Sequence, residues 1–226
     1  MDWKEFHDRT KIIKARPPKP DLVPEKGELS LPDPPKLKMS VSDSIRARRS
    51  IRSFTRDSIT MDELSALVFY SAGVTGDKDG KPLRAAPSAG ARHPTELLVV
   101  PFRVEGLEPG IYRYDWLKHK LWVQAYGDAS KSLEIACLEQ EFVGDCACVI
   151  VFTSKLQRTL DRYGQRGYRY AVMDSAAAAE NLSLAAVALG YGTVWVGAFD
   201  DDAISEVLSL PDDELPMLLL PVGRPK

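Results

Sequence analysis

The chain has 226 residues, enough for one domain with a substantial core, and its hydrophobic fraction of 44% is ordinary for a globular protein. Its formal net charge of −2 excludes the global positive field on which general nucleic-acid binding rests. No apolar run is long enough to span a bilayer, and the charged segment 1–13 lacks the apolar core of a signal peptide. We therefore expect a soluble, cytoplasmic protein with no membrane and no nucleic-acid partner.

The N-terminal part differs in composition from the rest of the chain. Residues 1–15 are predicted to form a short helix, and residues 16–38 carry seven prolines among many charges. Proline removes backbone donors and the segment is too polar for a core strand, so we expect an extended arm over the surface. Arms of this kind often wrap a partner subunit. The predicted units are a proline-rich arm, residues 1–40, and a folded domain, residues 41–226.

The predicted elements of the folded domain follow in order. Thr60 and Glu63 form a capping-box pattern ahead of a helical apolar spacing, which predicts a helix over 61–72. Glycines and aspartates over 73–80 predict a mobile polar loop. The remaining patterns predict strands at 97–102, 111–114, 121–126, 147–153, 193–196 and 217–222, and helices at 129–142, about 168–189 and 201–208, the last capped by Asp200. This mixture without a βαβ rhythm indicates an α+β fold with a largely antiparallel or mixed sheet.

Three features carry structural predictions rather than chemistry. The clustered cysteines, Cys137, Cys146 and Cys148, are expected to be buried, inert thiols, and the scattered histidines predict no metal site. The glycines of 190–192 follow a helix instead of opening one, which indicates a helix stop and not a dinucleotide fingerprint. The helix over 168–189 is apolar on nearly all sides, so we expect it to be buried on nearly all sides.

An arginine-rich run follows a short segment whose Ser42 and Asp43 predict a helix start. Arg48, Arg49 and Arg52 lie beside Ser50. Guanidinium groups bind phosphate oxygens two at a time, and a serine hydroxyl adds another hydrogen bond. The run is therefore either a pocket for a phosphorylated ligand or a solvated basic patch.

Two further segments combine small residues with accessible backbone. The run Pro87-Ser88-Ala89-Gly90-Ala91 would let the backbone approach a flat ligand, although a plain turn has the same composition. Gly197 and Ala198 precede a helix start, where backbone N–H groups are free to donate to an acceptor. An ordinary strand–helix connection is the alternative for this second segment.

Together these segments resemble the nitroreductase superfamily. The run Arg48–Phe54 is similar to its N-terminal flavin signature. Five further runs are similar to the SagB-type dehydrogenase branch of this superfamily and keep the same order along the chain: 87–97, 106–114, 162–170, 197–202 and 220–223. The resemblance extends from about Ser44 to the C-terminus and leaves the proline-rich arm outside.

The resemblance implies an FMN-dependent oxidoreductase with a nitroreductase-like three-layer α+β fold. It also implies an intertwined homodimer with FMN at the subunit interface and the long helix at the dimer centre. By the same likeness, the flavin-binding residues are Arg48 and Arg49 at the phosphate with Ser50 nearby, Arg52 at the N1/O2 side of the ring, Pro87, Ser88 and Ala89 at the flavin of the other subunit, Gly197 and Ala198 by N5, and Arg224 closing the phosphate site.

The implied reaction is ping-pong hydride transfer from NAD(P)H to a small-molecule acceptor, with the flavin carrying the chemistry and no catalytic side chain. One alternative is an azoline dehydrogenase that acts on modified peptides with a partner protein. Another is a flavin-binding module without turnover. The chain departs from the family pattern in two places. In the long helix, a Gly-His pair is replaced by Ala176-Ala177 and a Gln-Asn pair by Glu180-Asn181. In the loop by N5, a Glu-Gly pair is replaced by Gly197-Ala198.

Overall fold

The computed structural model describes residues 2–226. Its helices are α1 Trp3–Thr10, α2 Val41–Ala47, α3 Met61–Ala72, α4 Ser130–Ala136, α5 Glu141–Asp145, α6 Gln157–Tyr163, α7 Arg166–Ala188 and α8 Asp201–Val207. Its strands are β1 Val23–Ser30, β2 Val74–Lys78, β3 Lys81–Arg84, β4 Thr95–Pro101, β5 Gly110–Asp115, β6 Lys120–Tyr126, β7 Cys148–Lys155, β8 Gly192–Thr193 and β9 Glu214–Gly223. The α+β prediction is confirmed.

A seven-stranded sheet forms the middle layer, in the order β1-β6-β5-β4-β7-β9-β8, with antiparallel pairing throughout. Alternate residues of its central strands face opposite cores, as the two-residue repeat of a strand requires. Leu97 and Val99 join the core beneath α3 and α7, whereas Leu98 and Val100 join the core beneath α4, α5 and α8. Helices therefore cover both faces of the sheet, which confirms the predicted three-layer arrangement.

Helix α3 begins where the capping-box pattern predicts. The Thr60 side chain accepts a hydrogen bond from the Glu63 backbone N–H, and the Glu63 carboxylate accepts one from the Thr60 N–H. Its buried face packs on α7, where the Ser71 hydroxyl donates to the Ala178 carbonyl at 2.9 Å. This contact fixes the relative position of two helices that later carry site residues.

Helix α7 is buried on one side only within the single chain. Ala171, Ala178 and Leu182 face the core, but Val172 and Met173 are 44% and 55% exposed. The predicted burial on nearly all sides is therefore wrong for one protomer. Apolar composition around a helix shows that each face tolerates burial, and it does not say that the same chain supplies the cover.

The N-terminal arm is part of the sheet over one stretch. Strand β1 pairs with β6 from Val23 opposite Tyr126 to Ser30 opposite Lys120. All but one of its residues are exposed, as is usual for an edge strand, where prolines and charges are tolerated. The arm is extended and exposed over Val23–Ser30, as expected, and it also pairs with β6, because polarity excludes a core strand but not an edge strand.

Three other boundaries differ from the sequence predictions. The predicted loop over 73–80 belongs to a hairpin formed by β2 and β3. The predicted helix over 129–142 is two helices, since Leu138 and Glu139 adopt left-handed φ angles of 59° and 61° between them. The strand predicted over 193–196 is reduced to β8 and an isolated bridge between Val196 and Leu219. Among the described residues, no helix is long and apolar enough to cross a membrane.

Candidate functional site

The arginine run is held at the β8 edge of the sheet. The Ser40 side chain caps α2 by accepting from the Asp43 N–H, so the helix begins two residues earlier than Ser42 suggested. The helix ends at Ala47, and the chain leaves it in an extended conformation. The Ile51 N–H then donates to the Thr193 carbonyl at 3.0 Å. A Cβ on Gly192 would lie 2.7 Å from Ile51, so only glycine permits this close approach.

Arg224 joins the same edge from the end of the chain. Its carbonyl accepts from the Thr55 N–H at 2.8 Å, and its guanidinium lies 4.8 Å from the centre of the Tyr191 ring. The Glu63 carboxylate lies 3.5 Å from the Arg224 guanidinium and accepts from the Tyr191 hydroxyl at 2.7 Å. Burial alone would raise the pKa of Glu63, but hydrogen bonds from Thr60 and Tyr191 lower it below its usual value.

The positive charge at this edge is only partly compensated. Arg48 lies 3.9 Å from the Glu180 carboxylate, near the limit for an ion pair. The Arg49 guanidinium donates to two backbone carbonyls, and Arg52 lies 6.0 Å from the centre of the Phe142 ring. Within residues 2–226, neither Arg49 nor Arg52 has a carboxylate partner. Arg52 shares a cavity with the carboxylates of Glu139, Glu141 and Asp145. The weakly paired Arg48 and the unpaired Arg49 beside Ser50 favour an anion pocket over a plain basic patch.

A buried hydroxyl adds to the same group. The Thr193 Oγ1 atom is buried and, within the described part of the chain, has no hydrogen-bond partner. Thr193 lies directly beside Ser50, to which its backbone forms an isolated parallel bridge. A buried hydroxyl without a partner costs free energy, so Thr193 is a strained point of the structure beside Ser50. The sequence analysis missed Thr193, since a threonine in a strand carries no distinguishing signal.

The loop Gly197–Ala198 presents free backbone donors near the arginines. The Ala198 carbonyl accepts from the Gln140 side chain at 2.8 Å, and Gln140 lies just before the helix that carries Phe142. No hydrogen-bond partner within residues 2–226 accepts from the Gly197 or Ala198 N–H. A Cβ built on Gly197 would meet nothing within 4 Å, so the backbone is open to a flat ligand. Asp200 then caps α8, as predicted, by accepting from the Ala203 N–H at 2.9 Å.

The turn Pro87–Ala89 is held by a buried carboxylate in the middle of α7. The Ser88 hydroxyl and the Ala89 N–H donate to the two oxygens of Asp174 at 2.6 and 3.2 Å. Burial raises the pKa of Asp174 in spite of these hydrogen bonds. The sequence analysis missed Asp174, although a lone aspartate within an apolar helix is a recognisable signal.

The structure thus brings the predicted residues together in two groups. Arg48, Arg49, Ser50 and Arg224 lie around the β8 edge, and this first group continues to Arg52, Gly197 and Ala198 beside Phe142 and Gln140. Pro87, Ser88 and Ala89 lie instead at Asp174, six residues before Glu180 along α7, or about 9 Å at 1.5 Å per residue.

The sequence profile of the Nitroreductase family matches residues 45–224. The match covers most of the chain, which therefore belongs to the Nitroreductase family. Residues 1–44, which contain α1 and β1, lie outside the matched region.

Several known proteins are similar to this chain. MJ1384 of Methanocaldococcus jannaschii, which its name classes with the nitroreductases, is 38% identical over 197 residues, 87% of this chain and 96% of that protein. The FMN reductase (NADPH) of Bacillus subtilis is 26% identical and matches 81% of this chain and 65% of that protein. Trifolitoxin-processing protein TfxB of Rhizobium leguminosarum is 29% identical over 67% of this chain, which spans only 43% of that longer protein.

A solved structure from Anabaena variabilis, named as a nitroreductase, is similar over 99% of this chain, with a TM-score of 0.79 and 30% identity. This chain spans 47% of that longer chain. The nitroreductase-like fold predicted from the sequence is therefore confirmed.

Proposed function

We propose that this chain is an FMN-dependent oxidoreductase that takes electrons from a reduced nicotinamide cofactor and delivers them to a small acceptor. The observation that carries the proposal is the group of arginines around Ser50, of which Arg49 and Arg52 have no carboxylate partner in the part of the chain that the structure describes. Such a group suits a terminal phosphate. The name of the Bacillus subtilis relative, FMN reductase (NADPH), contains both FMN and NADPH and supports the same choice of cofactors.

The residues present fit FMN at both of its ends. Arg48, Arg49 and Arg224 would hold the phosphate, with the hydroxyl of Ser50 as a further hydrogen-bonding group. When bound, FMN supplies the two-electron hydride exchange that no amino-acid side chain provides.

Other groups would face the flavin ring. Arg52 would place a positive charge beside it and favour the negative charge that reduction adds. The free N–H groups of Gly197 and Ala198 would donate to the ring's acceptor atoms. The open space beside Gly197 would admit the ring to that backbone.

We further propose a homodimer in which each flavin lies at the subunit interface. Val172, Met173 and Trp195 form an exposed apolar surface on and beside α7 that a second copy would cover. A second copy would also bring its Pro87–Ala89 turn to the flavin of the first copy. In this arrangement residues 41–226 form the FMN-binding domain, and residues 1–40 are an N-terminal extension of it.

A second candidate is a SagB-type azoline dehydrogenase that acts on a modified peptide together with a partner protein. It is favoured by the relative whose name, trifolitoxin-processing protein, refers to the processing of a toxin. A nicotinamide donor would be unnecessary in this case, because oxidation of the azoline ring itself delivers the electrons.

Anaerobic titration of the FMN-loaded protein tests the proposal. NADH or NADPH should bleach the visible absorption of the flavin, and addition of a quinone or nitroaromatic acceptor should restore it. If the protein binds FMN but neither NADH nor NADPH bleaches the flavin absorption, the oxidoreductase proposed first is contradicted. The protein would then be assayed with an azoline-containing peptide, and failure there would leave a flavin-binding module without turnover.

A further inference from the structure

Helix α1 lies outside the family-matched region, yet it is firmly attached to the site. The His7 ring lies 3.3 Å from the Tyr168 hydroxyl at the start of α7, and Trp3 stacks on the same tyrosine. Beyond the helix, the N–H groups of Lys14 and Ala15 donate to the Asp200 carboxylate at 2.6 and 2.9 Å. This extension therefore follows the loop that leads from Gly197 into α8.

A cleft of about 350 Å³ lies between α1 and that loop. Its walls include His7 and Thr10 from α1 on one side, and Trp195, Gly197, Asp201 and Met217 on the other. Gly197 is the residue that the proposed function places beside the flavin. With the ring at the Gly197 end of this space, an acceptor would approach it from the side of α1, so that one wall comes from a segment outside the family match. Val172 and Trp195 also line the cleft, so the second copy of the proposed dimer would border it there.

Charged groups around the cleft are mostly negative. Three carboxylates, those of Asp8, Asp201 and Asp202, act electrostatically on His7, against the single ammonium of Lys11. Asp201 is the one that lines the cleft, whereas Asp202 turns to Lys11 at 2.9 Å. The arginines of the first turn of α7, Arg166 and Arg169, line the neighbouring groove beside Trp3 and Phe6 instead.

His7 provides an independent indication of a ligand. Its side chain is only 7% exposed, lines the cleft, and carries an Nε2 atom without a hydrogen-bond partner among the described residues. Burial lowers the pKa of the imidazole, so the ring is neutral at neutral pH. It therefore adds no positive charge to offset Asp201, and leaves one ring nitrogen for a polar group of the ligand.

We propose that α1 forms the outer wall of the acceptor-binding cleft and that Asp201 makes this cleft prefer neutral or cationic aromatic acceptors over anionic ones. The inference rests on the proposed function, because it takes Gly197 to lie at the flavin. The remaining lining is largely apolar, which suits a flat aromatic ring. A carboxylate on the acceptor would meet the Asp201 carboxylate in a partly desolvated space.

Three nitrobenzenes of similar size test the charge preference: nitrobenzene, 4-nitrobenzoate and a 4-trimethylammonio derivative. Their binding to the oxidised, FMN-loaded protein is followed by the change in flavin absorption and by quenching of tryptophan fluorescence, since Trp195 lines the cleft. We expect the anionic probe to bind about tenfold more weakly than the other two. Asp201→Asn should reduce this difference to about threefold or less, because it removes the negative charge. The local structure should be kept, since the amide oxygen still accepts the hydrogen bond that the Ile12 N–H donates to Asp201.

Asp202→Asn is the matched control, because it removes the same charge one residue away on the side of Lys11. It should leave most of the preference in place. Equal effects of the two substitutions, or no preference in the unmodified protein, would overturn the inference. If the protein takes up no FMN, the proposed function is contradicted instead. Titration of the flavin-free chain with the three probes, followed by tryptophan fluorescence, then tests the charge preference of the cleft separately.

The position of the wall is tested on α1. Thr10→Trp would fill the cleft from the exposed end of the helix, whereas Arg9→Trp adds the same bulk outside the cleft. We expect the first variant to weaken binding of all three probes about tenfold or more, and the second to leave binding within about twofold. Equal binding by both variants would show that α1 is not part of the acceptor site.

Discussion

Removal of the Arg48 guanidinium separates a phosphate site from a solvated basic patch. Its contact with Glu180 is 3.9 Å long and joins side chains that are 39% and 47% exposed, so it contributes at most about 1 kcal/mol to folding. A charge-assisted hydrogen bond to a phosphate is worth about 1.5–3 kcal/mol. We therefore predict that Arg48→Ala raises the FMN Kd about 10- to 150-fold and changes the free energy of unfolding little.

The assay compares FMN with riboflavin, which lacks the phosphate, by quenching of flavin fluorescence on binding. Arg48→Ala should weaken FMN binding and leave riboflavin binding nearly unchanged. Arg56→Ala is the matched control, since Arg56 lies in the same segment and pairs with Asp145 at 3.1 Å. Glu180→Gln should strengthen FMN binding slightly, because it removes the carboxylate that competes for Arg48.

Two results would refute this reasoning. One is an FMN affinity of Arg48→Ala that is no lower than that of the Arg56→Ala control. The other is an equal loss of FMN and riboflavin affinity, which would indicate damage to the fold or the ring site instead of a lost phosphate contact.

Three further predictions concern the supporting structure. Backbone N–H donors hold the pKa of the Asp200 carboxyl below its usual value of 3.8, against the opposing effect of burial. The carboxylate therefore stabilises the fold fully above its unfolded-state pKa, and this stabilisation is lost as the pH falls through the folded-state pKa. Denaturant unfolding should show Asp200→Ala to be destabilising by about 1 kcal/mol or more at pH 7 and less so in acid. Gly90→Ala should cost more stability than Gly80→Ala, because both glycines have positive φ but only a Cβ at 90 collides, with Tyr163. Burial raises the pKa of Cys137 and Cys146 to about 12, so a thiol reagent at pH 8 should label them only after unfolding.

Each of these three has its own contradicting result. An Asp200→Ala loss that is equal at pH 2 and pH 7 would show that the carboxylate charge is not what the backbone donors recognise. Equal unfolding free energies for the two glycine variants would remove the argument that Gly90 is needed for contact with Tyr163. Rapid labelling of the native thiols would contradict their burial.

The sequence predicts the central layers of the fold because its signals there are local. The capping box at Thr60 and the strand patterns over 111–114 and 121–126 need no knowledge of distant residues, and these elements form as expected. Strand β1 was missed because its partner lies almost a hundred residues away, and polar edge strands have no pattern of their own. The break between α4 and α5 depends on two left-handed residues that are not glycine.

The sequence indicated which residue types form the site, but it did not indicate the contacts that hold them in place. The arginine run and Arg224 are separated widely along the chain. Thr193 positions the run through Ile51, and Glu63, predicted only as a helix cap, lies beside Arg224. Asp174 anchors the Pro87–Ala89 turn through contacts that depend on how the turn meets α7. The role of α1 was invisible for the same reason, since it follows from docking on Tyr168 and Asp200.

The most direct test of the proposed function is the visible absorption spectrum of the purified protein, with the chromophore released by denaturation and identified by mass. The proposal predicts a flavin spectrum and the release of FMN, or uptake of added FMN by protein purified without it. A colourless protein that binds no added FMN would contradict it. The arginines around Ser50 would then be a solvated basic patch on a nitroreductase-like fold.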